Sequence, residues 1–160
     1  MFSEQVGLSE KEEFMKQLIA LICVLALGIV TGCATNPGGA GGGQDKVVYH
    51  LSDGTAQASN GLRNIRNHLE VNPKAKIVVV AHAQGVDYLM EGAKDKNGNL
   101  YNAIVEDLKS QGVQFDVCEI TLRNRKLQKS QFIPEASFVP SGVAEITKLQ
   151  QREGYGYLKP

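Results

Sequence analysis

The strongest hydrophobic signal along the chain is Lys76-Ile77-Val78-Val79-Val80-Ala81-His82, a continuous β-branched run. Such a run fits a parallel strand buried on both faces. Lys46-Val47-Val48-Tyr49-His50-Leu51 makes a strand ahead of it. Between the two, Ala58, Leu62, Ile65 and Leu69 recur at helical spacing, while Arg63, Arg66 and Asn67 fall elsewhere on the wheel. Asn72-Pro73 stops that helix. Strand, helix and strand in this order form a βαβ unit with a right-handed crossover.

The alternation continues downstream. Tyr101, Ile104, Val105 and Leu108 form a second helical stripe, ended by Gln111-Gly112. A third strand follows at Val113-Gln114-Phe115-Asp116-Val117-Cys118, then a basic helix expected over Leu122 to Ser130. Phe138-Val139-Pro140 reads as a short fourth strand. Ser141 caps a helix carrying Val143, Ile146 and Leu149, with Glu145 near the reciprocal capping position. Tyr155-Gly156-Tyr157-Leu158 reads as the last strand. Strands alternating with helices predict one α/β domain over 46–160. Its expected architecture is a three-layer α/β/α sandwich with a mostly parallel sheet of about five strands, flavodoxin/Rossmann-like.

The first 45 residues follow a different pattern. Leu18 to Val30 is thirteen residues without a charge, preceded by Met15-Lys16-Gln17. As a helix it would span about 20 Å, short of a bilayer core but suited to a secretory h-region. It runs into Val30-Thr31-Gly32-Cys33, which resembles the lipobox of bacterial lipoproteins. That resemblance implies a signal peptide over 1–32, cleavage before Cys33, and acylation of Cys33 as a membrane anchor. Glu4, Glu10, Glu12 and Glu13 sit where a signal carries positive charge. A start at Met15, with Met15-Lys16 as the true n-region, is one explanation, and the residues leave Met1 and Met15 both open. Residues 33–45 make a lipidated, Gly-rich tether of on the order of 18 Å. In Gram-negative lipoproteins Asp after the cysteine favours inner-membrane retention. Ala34 therefore points to the periplasmic face of the outer membrane.

Composition adds mostly exclusions. The formal net charge is zero, and 42% of the residues are hydrophobic. No basic block, aromatic RNA-binding motif or zinc-finger spacing appears, so no nucleic-acid partner is expected. The GxGxxG and GxxxxGK[ST] loops of nucleotide sites are missing as well, and no cofactor is expected. Ser52 lacks a GxSxG elbow, which argues against a serine hydrolase.

Open parallel sheets bind ligands beyond the carboxyl ends of their strands. His50, His82 and Cys118 end the first three strands, and Asp53, Gln84 and Arg123 lie in or near the loops that follow. Cys118 precedes a helix start, where N–H groups favour thiolate over thiol. It reads equally as a small buried hydrophobe. With Cys23 lost in the signal and Cys33 acylated, Cys118 would be the lone thiol of the mature chain. His50, His82 and Cys118 carry suitable zinc ligands but no recognised ligand spacing, so no metal is expected. Arg123 and its basic neighbours could hold an anion or form a solvated helix face.

The segments KVVYHLSDG, IVVVAHAQGVDYL, LKSQGVQFDVCEITLRNR and SGVAEITKLQQREGYGYLKP resemble the DsrE/DsrF-like family across Lys46 to Pro160. The resemblance implies an α/β/α domain that assembles as a homo- or hetero-oligomer. In sulfur-relay members a cysteine accepts sulfur as a persulfide and passes it to a partner protein, and Cys118 looks like the matching position. His82 or His50 would assist. Ala83 departs from relatives that place glycine after the histidine. The expected function is sulfur handling through Cys118 by an exported, lipid-anchored protein, with a sulfur-donor or acceptor protein as partner. The alternative is a non-enzymatic oligomeric binding lipoprotein in which Cys118 is structural.

Overall fold

A computed structural model describes residues 44–160, where five parallel strands form a single sheet. The expected signal segment, with Met15 and Cys23 in it, and the lipidation site Cys33 lie outside the described residues. Among the described residues no helix is long and apolar enough to cross a membrane.

In chain order the elements are β1 (Lys46–Leu51), α1 (Thr55–Val71), β2 (Lys76–Ala81), a 3₁₀ segment (Ala83–Leu89) and α2 (Tyr101–Ser110). They continue with β3 (Gln114–Cys118), α3 (Glu119–Arg125), a 3₁₀ turn (Lys129–Gln131), β4 (Ala136–Val139), α4 (Gly142–Glu153) and β5 (Gly156–Leu158). The sheet order is β4-β3-β2-β1-β5. Three crossovers step in one direction from β1 to β4, and the fourth returns to the far side of β1. With right-handed crossovers, the reversal moves the last helix to the opposite face.

That reversal makes the two faces unequal. On one, Tyr49, Leu51, Ile77, Val79, Phe115 and Val117 meet Leu62 and Ile65 of α1 and Val105 and Leu108 of α2 in the main core. On the other, Val48, Val78 and Val80 meet Ile146 and Leu149 of α4. The three-layer parallel architecture is the one expected from the alternating pattern.

Several local expectations differ. The helix expected over Leu122 to Ser130 begins at Glu119, directly after β3, and ends at Arg125. Lys126 takes a left-handed conformation (φ 56°) that stops it. The Gln131 side chain accepts from the Gln128 N–H at 2.7 Å and tightens the next turn. Ser141 does cap α4, accepting from the Ala144 N–H, but Glu145 lies one residue beyond the reciprocal position and pairs with Lys148 at 2.9 Å. The segment Ala83–Leu89 forms an unexpected 3₁₀ stretch pressed onto the end of β1. A β-carbon on Gly85 would fall 2.2 Å from the Leu51 carbonyl oxygen, so only glycine allows that approach.

Candidate functional site

Strand alternation decides which face carries the chemistry. Val48 and Val80 point toward α4, so His50 and His82, two residues on, share that side. Ala81 pairs with Val117, which brings His82 and Cys118 alongside one another at the strand ends. The start of α4 then packs directly over them. A β-carbon on Gly142 would lie 3.2 Å from Cys118 Cβ and 3.3 Å from His82 Cβ. Glycine at this position lets a helix N-terminus reach the sulfur.

Cys118 is 5% exposed. Burial alone would push its thiol up. The N–H groups of Gly142 and Thr121, the Thr121 hydroxyl and the Ile120 N–H outweigh it and hold the thiol below its ordinary range. The Thr121 hydroxyl oxygen also accepts from the Ala83 N–H at 2.9 Å, which leaves its proton free for the sulfur. Ala83 itself sits at φ 51°, strained for any side chain. The Ala83 N–H and carbonyl are both tied down, the carbonyl by Arg125 at 2.9 Å.

The histidines do not bond Cys118; they bond each other. His50 Nε2 and His82 Nε2 are 2.6 Å apart, with ring centroids 4.7 Å apart and planes 27° from parallel, so the rings meet end to end. His50 Nδ1 meets the Tyr157 hydroxyl at 2.6 Å. Burial is the main cause that lowers both imidazoles, with His82 and Lys159 adding to it at His50 and Lys159 at His82. Asp53 opposes this, but it is ion-paired with Lys159 at 3.0 Å and accepts from the Ser52 hydroxyl at 2.7 Å. The hydrogen bond to Ser52, followed by Lys159, lowers the Asp53 carboxyl. Two imidazoles on one tetrahedral zinc would stand about 3.3 Å apart. The 2.6 Å spacing is that of a hydrogen bond between the two nitrogens. Among the described residues no group of three His, Cys, Asp or Glu is placed to share a metal ion.

A cavity of about 640 Å³ opens beside the sulfur, lined by His82, Gln84, Cys118, Thr121, Arg125 and Val143 among others. Of the residues singled out from the sequence, Cys118, His82 and Gln84 meet here. His50 stands one hydrogen bond behind His82, and Asp53 lies further out in its ion pair. Arg123 is elsewhere, lining a separate hollow with Glu119 and Lys126. Arg125 takes the place beside the cavity, held by Asp87 at 2.6 Å. Helical geometry explains the exchange, because residues two apart face opposite sides. Thr121, Gly142 and Tyr157 went unrecognised in the sequence. The last two sit within the Ser141-Gly142 cap and the Gly-Tyr ending, where their backbone and register roles show no side-chain pattern.

The DsrE/DsrF-like family profile matches residues 46–160. The chain belongs to the DsrE/DsrF-like family. Among solved structures, it is similar to a protein of unknown function, MTH1491 from Methanobacterium thermoautotrophicum. The identity is 30% and the TM-score 0.65, over 73% of this chain and 100% of that one. It is also similar to the ychN protein from E. coli, at 17% identity and a TM-score of 0.60, over 74% and 100% of the two chains. The second likeness is one of fold. No curated protein matches.

Proposed function

We propose that this DsrE/DsrF-like domain carries sulfane sulfur as a persulfide on Cys118. The observation that supports it most is the approach of the α4 N-terminus to a buried sulfur at the wall of a cavity, where a β-carbon on Gly142 would lie 3.2 Å from Cys118 Cβ. The neighbouring N–H groups and the Thr121 hydroxyl lower the thiol there. In the proposed step the Cys118 thiolate attacks the outer sulfur of a hydropersulfide R–S–SH. A new S–S bond forms to Cys118, the donor's S–S bond breaks, and R–S⁻ departs with the electron pair. Cys118–S–SH remains, ready for the reverse step onto an acceptor.

Intact-mass measurement after exposure to glutathione persulfide tests it. The expected result is a reducible gain of about 32 Da, one sulfur atom, absent in Cys118→Ser. No gain on the wild-type protein overturns the proposal.

The same reading places the domain in the cell envelope, anchored through acylated Cys33 on the periplasmic face of the outer membrane. The Val30-Thr31-Gly32-Cys33 sequence supports this. Labelled palmitate should enter the wild-type protein and not Cys33→Ser. Exposed Ile120 and Val143 at the cavity mouth support contact with a second copy or a sulfur-exchanging partner. Sedimentation of the purified domain tests the homo-oligomer. A second reading, a binding protein with a structural Cys118, draws on the low exposure of that residue. It requires a thiol inert to alkylation in the folded state.

A further inference from the structure

The hydrogen bonds on the α4 face form a line. The Tyr157 hydroxyl, 46% exposed as a residue, meets His50 Nδ1 at 2.6 Å, and His50 Nε2 meets His82 Nε2 at 2.6 Å. The line ends at His82, which lines the cavity beside Cys118. Its Nδ1 has no hydrogen-bond partner among the described residues. Register explains the alignment. Tyr157 pairs with Val48 and so stands on the same face as His50 and His82.

Each ring in this line can accept a proton on one nitrogen while releasing one from the other. A charged pair of imidazoles could not share the Nε2–Nε2 contact, since both nitrogens would be donors. Burial and Lys159 disfavour that doubly charged state, and Asp53, the nearby carboxylate, is already engaged by Lys159.

We propose that Tyr157, His50 and His82 form a proton relay that carries protons from solvent to the leaving group of the Cys118 reaction. Tyr157 and His50 act through His82, which alone meets the reacting sulfur species. When Cys118 attacks a disulfide or persulfide, the departing alkyl thiolate takes the Nδ1 proton of His82. His82 Nε2 takes the His50 proton, His50 Nδ1 takes the Tyr157 proton, and solvent restores the phenol. One proton enters at Tyr157 for the thiol released, and both rings are left in their other tautomer. An incoming thiol then gives its proton to His82 Nδ1, and the line runs back to Tyr157. No oxidant or reductant beyond the disulfide is required.

The relay rests on Cys118 being the nucleophile proposed above, yet its test needs no sulfur transfer. Bis(2-hydroxyethyl) disulfide releases a basic alkyl thiolate that needs a proton, whereas 4,4′-dithiodipyridine releases a delocalised pyridine-4-thiolate that departs without one. Both are uncharged, and in the full chain the part of each exchange that is lost in Cys118→Ser reports on Cys118 and not on Cys23 or Cys33. His82→Gln should slow the alkyl exchange about 100-fold and Tyr157→Phe about tenfold, with less than about twofold change in aryl exchange. Equal slowing with both disulfides, or no slowing with the alkyl one, overturns the relay. If a histidine variant fails to fold, the wild-type protein in D₂O carries the test. Alkyl exchange should slow about twofold or more and aryl exchange less, and equal effects again overturn the relay. Normal relay behaviour without a persulfide would defeat the sulfur reading alone. Reaction with neither disulfide defeats both.

Discussion

The two faces of the sheet are built from the same five strands and differ in almost every other respect. Toward α1 and α2 the inward residues are large and fully buried, including Tyr49, Leu51, Phe115 and Leu108. Toward α4 the covering is a single helix over three valines, and the same strands carry His50, His82, Asp116 and Cys118 there. One face supplies the packing that holds the sheet, and the other holds polar groups at the strand ends. The division follows from chain path, because only the last crossover reverses. Chemistry falls on the face with the least apolar burial, where a helix N-terminus can approach a sulfur without displacing a core.

The most severe test removes bulk from each face. Leu108→Ala should destabilise the domain by about 4 kcal/mol in urea unfolding, and Leu149→Ala on the α4 side by only about 2 kcal/mol. Comparable losses would mean that the two faces share the packing load. Next in size is Gly142→Ala. Its new methyl would press on Cys118, His82 and Val80 at 3.2 to 3.4 Å, shifting the α4 N-terminus from the sulfur. The rate of iodoacetamide alkylation of Cys118 at neutral pH should fall about tenfold as the thiol rises toward its ordinary range.

Thr121→Val sharpens the comparison further. It removes one donor from the sulfur and strands the Ala83 N–H, at a cost of about 1 kcal/mol in chemical denaturation. The smallest effects are those of pH. A depressed thiol adds stability above its ordinary value near 9, and that contribution disappears as pH falls through the folded-state value. The stability of the wild-type protein relative to Cys118→Ser should therefore rise from neutral pH toward about 9. The histidine pair acts on the acid side. Its lowered imidazoles resist protonation in the fold, so stability should drop as pH falls below about 6.5, and His50→Gln should blunt that drop.

Much of the fold was legible in the residues. The β-branched run Ile77–Ala81 marked a buried strand, the stripe Ala58-Leu62-Ile65-Leu69 marked α1, and Ser141 marked the start of α4. The helix after β3 was misplaced, since Glu119 and Ile120 give no capping signal and a left-handed Lys126 cannot be read from a lysine. At the site, Cys118, His82 and His50 stood out because each ends a strand. Arg123 was favoured over Arg125 because composition shows that a helix is basic and only packing shows which turn faces the cavity.

The sequence by itself determined the strands, their parallel succession and the residues at their carboxyl ends, because hydrophobic period and strand length are local properties. Tertiary structure alone decided what those residues do to one another. The sulfur is cradled because Gly142, far along the chain, omits a side chain where α4 meets the sheet. The histidines are hydrogen-bonded to each other, and not to the sulfur, because the register of β1, β2 and β5 aligns them with Tyr157. Register and helix approach are set by long-range packing, which no local pattern encodes.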